Sequence, residues 1–113
     1  MTFRHLAIIG LGLQGGSIGL AAQEFLPGMA TSGYDISPEN RARARQRGLV
    51  QTVCDSAADA VREADLVIFC VPPGAMGAAA AEIRGALPAH ALVSDVGSSK
   101  QAIARALGEA LPD

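Results

Sequence analysis

Gly10-Leu-Gly12-Leu-Gln-Gly15, near the amino terminus, has a spacing that can hold a diphosphate. In G-x-G-x-x-G the first glycine permits a tight turn off a strand. The second lets main chain come within contact distance of a pyrophosphate. The third lets a helix pack close on the strand, so that its first amides face the anion. The triple is weak evidence alone, but the strand-before and helix-after context it needs is legible here. Gly10, Gly12, Leu13, Gln14 and Gly15 are therefore candidate cofactor contacts. Asp35 lies about 20 residues beyond Gly15, at the end of the next predicted strand. A carboxylate there accepts the ribose hydroxyls of an adenosine half and repels a 2′-phosphate, favouring NAD over NADP. Arg41 and Arg43 stand close enough in sequence to keep NADP open, and Asp35 also reads as a helix-cap or turn aspartate. Two further irregular segments, Val71-Pro72-Pro73 and Asp95-Val-Gly97-Ser98-Ser-Lys100, follow apolar runs. Val71 and Pro72 join the candidate contacts. Hydride transfer at a hydroxyl-bearing carbon usually needs a group to move the proton. His5 and His90 each precede a strand, which puts them at the edge away from the cofactor in structural or surface roles.

These residues require a specific scaffold. Leu6–Ile9 is a first apolar run, ending in the glycines. Gln14–Phe25 reads as a helix with Ile18, Ala21, Ala22 and Phe25 on one face, stopped by Pro27-Gly28. Ala30–Tyr34 is a short strand. Ser37 followed by Pro38 starts a helix that Gly48 ends after Arg47. Val50–Val53 is a weak strand, and Ser56 with Asp59 opens a short helix. Leu66–Val71 is apolar throughout, as a strand buried on both faces of a parallel sheet should be. Ala75–Leu87 is an Ala-rich helix, Ala91–Asp95 a fifth strand, and Ser98 or Ser99 caps a last helix reaching about Leu111. Alternating strands and helices with right-handed crossovers predict an α/β, doubly wound, Rossmann-type parallel sheet with helices on both faces and strand order 3-2-1-4-5. Residues 1–113 are expected to form one NAD(P)-binding domain. All the candidate segments then fall at the carboxyl edge of the sheet, around the switch between strands one and four, where such sheets bind ligands.

The bulk numbers agree. The chain has 113 residues, 50% hydrophobic and only 18% charged, with a mean hydropathy of +0.28, which excludes intrinsic disorder. A net charge of −2 leaves no basic surplus to neutralise a phosphate backbone, so nucleic acid is not an expected partner. Arg41, Arg43, Arg45 and Arg47 spread around one helix and read as a solvated surface. Cys54 and Cys70 form neither a disulfide framework nor a metal-ligand pair, and Cys70 reads as a buried, inert thiol. No metal site is expected. No segment reaches the length of a signal-peptide core or a membrane span, so the expected location is the cytoplasm.

Three segments together resemble the prephenate and arogenate dehydrogenases, the TyrA family of tyrosine biosynthesis. Gly10-Leu-Gly-Leu-Gln-Gly-Gly-Ser17 is similar to the family's G-L-G-L-I-G-G-S, with Gln14 in place of an apolar residue; its main-chain amide, not its side chain, is expected to serve the phosphate. Asp65-Leu-Val-Ile-Phe-Cys-Val-Pro72 resembles D-L-V-I-x-A-V-P, and Asp95-Val-Gly-Ser98-Ser-Lys100 resembles D-V-G-S-V-K. The resemblance implies NAD(P)-dependent oxidative decarboxylation of prephenate or arogenate. It also implies a catalytic role for Ser98, which orients a histidine of a G-H-P segment that this sequence does not contain. A helical C-terminal domain, likewise not in this sequence, would complete the substrate pocket and a homodimer, so the chain alone is expected to bind cofactor without completing catalysis. Two alternatives stay open: a nucleotide-sensing regulatory module, and the cofactor domain of a β-hydroxyacid or imino-acid dehydrogenase.

Overall fold

The computed structural model describes residues 3–95. The elements run β1 (His5–Ile9), α1 (Leu13–Phe25), β2 (Ala30–Tyr34), α2 (Pro38–Arg47), β3 (Thr52–Val53), α3 (Ala57–Val61), β4 (Leu66–Phe69), α4 (Met76–Ile83) and β5 (Leu92–Asp95). The five strands form one sheet in the order β3-β2-β1-β4-β5, parallel at every pairing. The expected order 3-2-1-4-5 is observed.

Side chains alternate across a strand, and here each face of the sheet carries its own core. Leu6, Ile8, Leu66 and Ile68 point to one face and pack with Ala22 of α1, Ala44 of α2, and Leu11, Leu49 and Val50. Ala7, Ile9, Val67 and Phe69 point to the other and pack with Ala57, Ala60 and Val61 of α3 and Ile83 of α4. The register Leu6↔Leu66 through Ile9↔Phe69 aligns the two central strands. Burial on both sides is why the Leu66 run is apolar without alternation.

The helix boundaries follow local chemistry. The Ser37 hydroxyl accepts the Asn40 N–H at 3.2 Å, Pro38 occupies the first turn of α2, and Gly48 ends it in the left-handed conformation at φ +61°. Ser56 caps α3 by accepting from the Asp59 N–H at 3.1 Å.

Other boundaries differ from expectation. The strand expected over Val50–Val53 is only Thr52–Val53. Leu49 and Val50 are buried in the core, and Gln51 and Thr31 replace ladder bonds with reciprocal side-chain bonds of 2.8 and 3.2 Å. β4 stops at Phe69, and Pro72, with no N–H to donate, follows shortly. The expected helix Ala75–Leu87 is a short 3₁₀ turn at Pro73–Ala75 followed by Met76–Ile83. Main-chain bonds from Ala86 and Leu87 to the Ile83 carbonyl close its end.

The largest correction concerns α1. Its buried residues are Gly15, Gly16, Gly19 and Ala22, whereas Phe25, expected inside, is 74% exposed. A Cβ on Gly19 would stand 2.1 Å from the Leu49 carbonyl oxygen, so the helix lies against main chain at a distance only glycine allows. Ser98 and the last expected helix lie outside the described residues.

Candidate functional site

The glycine loop is wedged at the switch between β1 and β4. Gly10 adopts φ +106°, a conformation that favours glycine. Its N–H donates to the Tyr34 carbonyl at 2.7 Å, and a Cβ there would lie 2.4 Å from the Cys70 carbonyl oxygen. A Cβ on Gly15 would lie 1.8 Å from the Gly10 carbonyl oxygen. The first and third glycines are thus demanded by the protein's own packing. Gly12 is different: its φ is −73°, and a Cβ would meet nothing within 4 Å. Nothing among the described residues requires glycine at this position. The opening above it is the kind of space a ligand's close approach to main chain would need.

Gly12 caps α1 without a side-chain hydrogen bond, and the first turn holds no acidic residue. The first N–H groups of a helix have no intrahelical acceptor and form the positive end of its dipole. Leu13 is 91% exposed, and its side chain lines a separate depression of about 200 Å³ with Ser17, Leu20, Arg43 and Arg47. Neither Leu13 nor Gln14 lines the groove at Gly12 and Asp35; their main chain forms the first turn of α1 beside Gly12.

Asp35 is buried. One carboxylate oxygen accepts the Leu11 N–H at 2.7 Å and the other the Ser37 N–H at 2.8 Å. The turn-aspartate reading is therefore correct as far as it goes: Asp35 fastens the glycine loop to the β2–α2 turn. A carboxylate has about four acceptor sites, so each oxygen keeps a lone pair.

Gly10, Gly12, Asp35, Val71 and Pro72 line one groove of about 380 Å³, so five of the residues singled out in the sequence converge. Gly15 lies beneath the loop, with Gly10 between it and the groove. The sequence reading missed the outer walls, formed by Ile36, Ser37 and Asn40 on one side and Ala75, Ala78, Ala79 and Glu82 on the other. The spacing 75, 78, 79, 82 marks one helical face, a signal hidden by the uniform alanine content.

Arg41 is not simply a solvated residue. It donates to the carbonyls of Asp35 at 2.8 Å and Ile36 at 3.3 Å and lies 5.5 Å from the Tyr34 ring centroid. Arg45 pairs with Asp55 at 2.7 Å. Cys70, read from the sequence as buried, is half-buried, and that burial still pushes its thiol up to about 12, so this groove-lining sulfur stays protonated at neutral pH. Burial, with Asp59 and Asp55 adding to it against Arg45, also raises Cys54. His5 sits at the opposite edge: Ser32 spends its hydroxyl hydrogen on the Ala60 carbonyl at 2.6 Å, so the His5 Nε2–H donates to Ser32 Oγ at 2.7 Å. Among the described residues no cluster could hold a metal ion, and no helix is long and apolar enough to cross a membrane.

Residues 18–113 match the profile of the family described as "Prephenate dehydrogenase, nucleotide-binding domain". That span begins inside α1, so the loop's assignment stands on its geometry. The chain is 45% identical over 112 residues to cyclohexadienyl dehydrogenase of Zymomonas mobilis, covering 99% of this chain and 38% of that protein. It is 34% identical over 108 residues to prephenate dehydrogenase of Bacillus subtilis, covering 95% and 29%. Among solved structures, prephenate dehydrogenase from A. aeolicus in complex with hydroxyphenyl propionate and NAD+ superimposes with a TM-score of 0.77 at 25% identity, over 96% of this chain and 40% of that one. The chain thus spans well under half the length of these relatives.

Proposed function

The chain belongs to the prephenate dehydrogenase nucleotide-binding domain family, and from that premise we propose that its groove binds NAD as the cofactor half of an enzyme oxidatively decarboxylating prephenate or arogenate. The observation that carries the reading is Gly12, a glycine with open space where its Cβ would be, beside Asp35 and the free amides of α1. The residues fit the group. The main-chain N–H groups of Gly12, Leu13 and Gln14 would hold the diphosphate. Asp35 would accept the adenosine ribose hydroxyls through the lone pairs its two internal bonds leave free. Val71 and Pro72 wall the groove beyond β4. When bound, NAD supplies the hydride acceptor.

NAD is favoured over NADP because the Asp35 carboxylate would repel a 2′-phosphate, and one guanidinium nitrogen of Arg41 beside it already donates to the Asp35 and Ile36 carbonyls. Residues 1–113 are read as one such domain. Ser98 is assigned the catalytic side of the site from the family motif, and the remaining length of the relatives is assigned the substrate pocket and a homodimer interface. The location proposed is the cytoplasm.

Isothermal titration of the chain with NAD and NADP tests the reading. NAD should bind, NADP should bind at least roughly tenfold more weakly, and Gly12→Ala should weaken NAD by about the same factor while leaving the fold intact. No heat of NAD binding at millimolar ligand overturns it.

A further inference from the structure

We infer that Glu82 reads the base of the bound dinucleotide, its carboxylate accepting from the exocyclic amine of adenine. The inference rests on the NAD reading and deepens it. With the diphosphate over Gly12 and the ribose at Asp35, the base must continue away from α1, into the part of the groove between Ile36 and α4. Those walls are apolar: Ile36, 79% exposed, faces the same groove as Pro72, Ala75 and Ala79. Such a slot suits a flat ring and cannot by itself distinguish one purine from another.

The polar side chains on the same lining are those of Tyr34, Asp35, Ser37, Asn40 and Glu82. Asp35 is assigned to the ribose, the Ser37 hydroxyl caps α2 and the Tyr34 ring packs against Arg41, which leaves Asn40 and Glu82 for the base. Arg43 donates to the Asn40 side-chain oxygen at 3.2 Å, so the Asn40 amide N–H₂ is the part left to offer. Among the described residues Glu82 has no hydrogen-bond or ion-pair partner, and the residues three and four positions away, 78, 79, 85 and 86, are Ala or Gly, which supply no cation. The groove therefore ends in one unsatisfied acceptor and one amide donor. Adenine presents a donor amine beside a ring acceptor, which matches. Hypoxanthine carries a carbonyl in place of the amine, and two acceptors would then face each other.

The chain is titrated with NAD+ and with nicotinamide hypoxanthine dinucleotide, as wild type and as Glu82→Gln. The wild type should prefer NAD+ by roughly tenfold, the scale of a hydrogen bond to a charged acceptor at an open rim. The glutamine amide can turn either its oxygen or its N–H₂ to the base, so the preference should fall to about twofold or less. Glu82 is exposed, and an unchanged thermal melt verifies that the variant folds. Equal affinity of the wild type for both dinucleotides, or a tenfold preference that survives in Glu82→Gln, overturns the inference and leaves NAD binding standing. Binding of neither dinucleotide by the wild type overturns both.

Discussion

Asp65 and Asp35 each accept two main-chain N–H bonds, at opposite edges of the same sheet. Asp65, just before β4, takes those of Arg4 at 2.8 Å and His5 at 2.9 Å, tying the start of β1 to the start of β4. Around it the polar groups are closed on one another: Asp65 N–H on the His5 carbonyl, Leu92 N–H on the Asp65 carbonyl, His5 on Ser32 and Ser32 on Ala60. Asp35, just after β2, performs the same fastening for Leu11 and Ser37. Its neighbours, however, are an uncapped helix start and a glycine with nothing above it. The bonding of the two carboxylates is alike. What separates a structural edge from a binding edge is the set of donors and acceptors each leaves unspent.

That contrast can be broken by substitution. The largest effect should come from Gly15→Ala, whose Cβ would collide with the Gly10 carbonyl; a loss of about 3 kcal/mol or more is expected by urea denaturation. Gly12→Ala should stay within about 0.5 kcal/mol of the parent in the same measurement. Equal destabilisation by the two would remove the distinction between packed and open glycines. Asp65→Ala strands two main-chain donors at the closed edge and should cost about 2–3 kcal/mol of stability, with NAD affinity of the folded chain unchanged by calorimetry. Asp35→Asn keeps one acceptor for its main-chain partners. It should cost about 1 kcal/mol of stability and roughly tenfold in NAD affinity. An Asp65 variant that loses affinity, or an Asp35 variant that keeps it, would contradict the assignment of the edges. The smallest effect concerns Cys70 on the groove wall. Its folded value, about 12, lies above the ordinary thiol value of 9.0. The unfolded chain therefore loses this proton first as pH rises. The stabilisation is complete below pH 9.0 and is lost as pH climbs toward about 12. Cys70→Ala should flatten that alkaline decline in a pH series of melts, on top of a small pH-independent loss from removing a sulfur packed against the core.

Much of this edge was legible beforehand. The Gly10 and Gly15 spacing, the position of Asp35 and the caps at Ser37, Gly48 and Ser56 were all readable, because each depends on residues adjacent in sequence or on a local backbone conformation. The buried face of α1 was not. A hydropathy reading selects Ile18, Ala21, Ala22 and Phe25, of which Ala22 is buried and Ile18 packs against the core while Ala21 and Phe25 are exposed. It passes over Gly15, Gly16 and Gly19, because the helix approaches Leu49 so closely that glycine becomes an inward residue, and glycine carries no apolar signal. Arg41 resembled its neighbours in an evenly spaced basic run; only the fold of the β2–α2 turn puts two carbonyls and the Tyr34 ring beside it. The far wall of the groove was equally hidden, since Ile36 and Glu82 are brought to one groove by the β4–α4 crossover.

Periodicity and backbone permissiveness, which are properties of short segments, were enough to set the order of elements, the parallel sheet and the three glycines. The tertiary structure decided which glycine serves packing and which leaves an opening. It also decided which arginine is spent, and which residues of α4 face Asp35. Those outcomes depend on how closely two elements distant in the chain approach, a distance set by the packed core and not by any one segment.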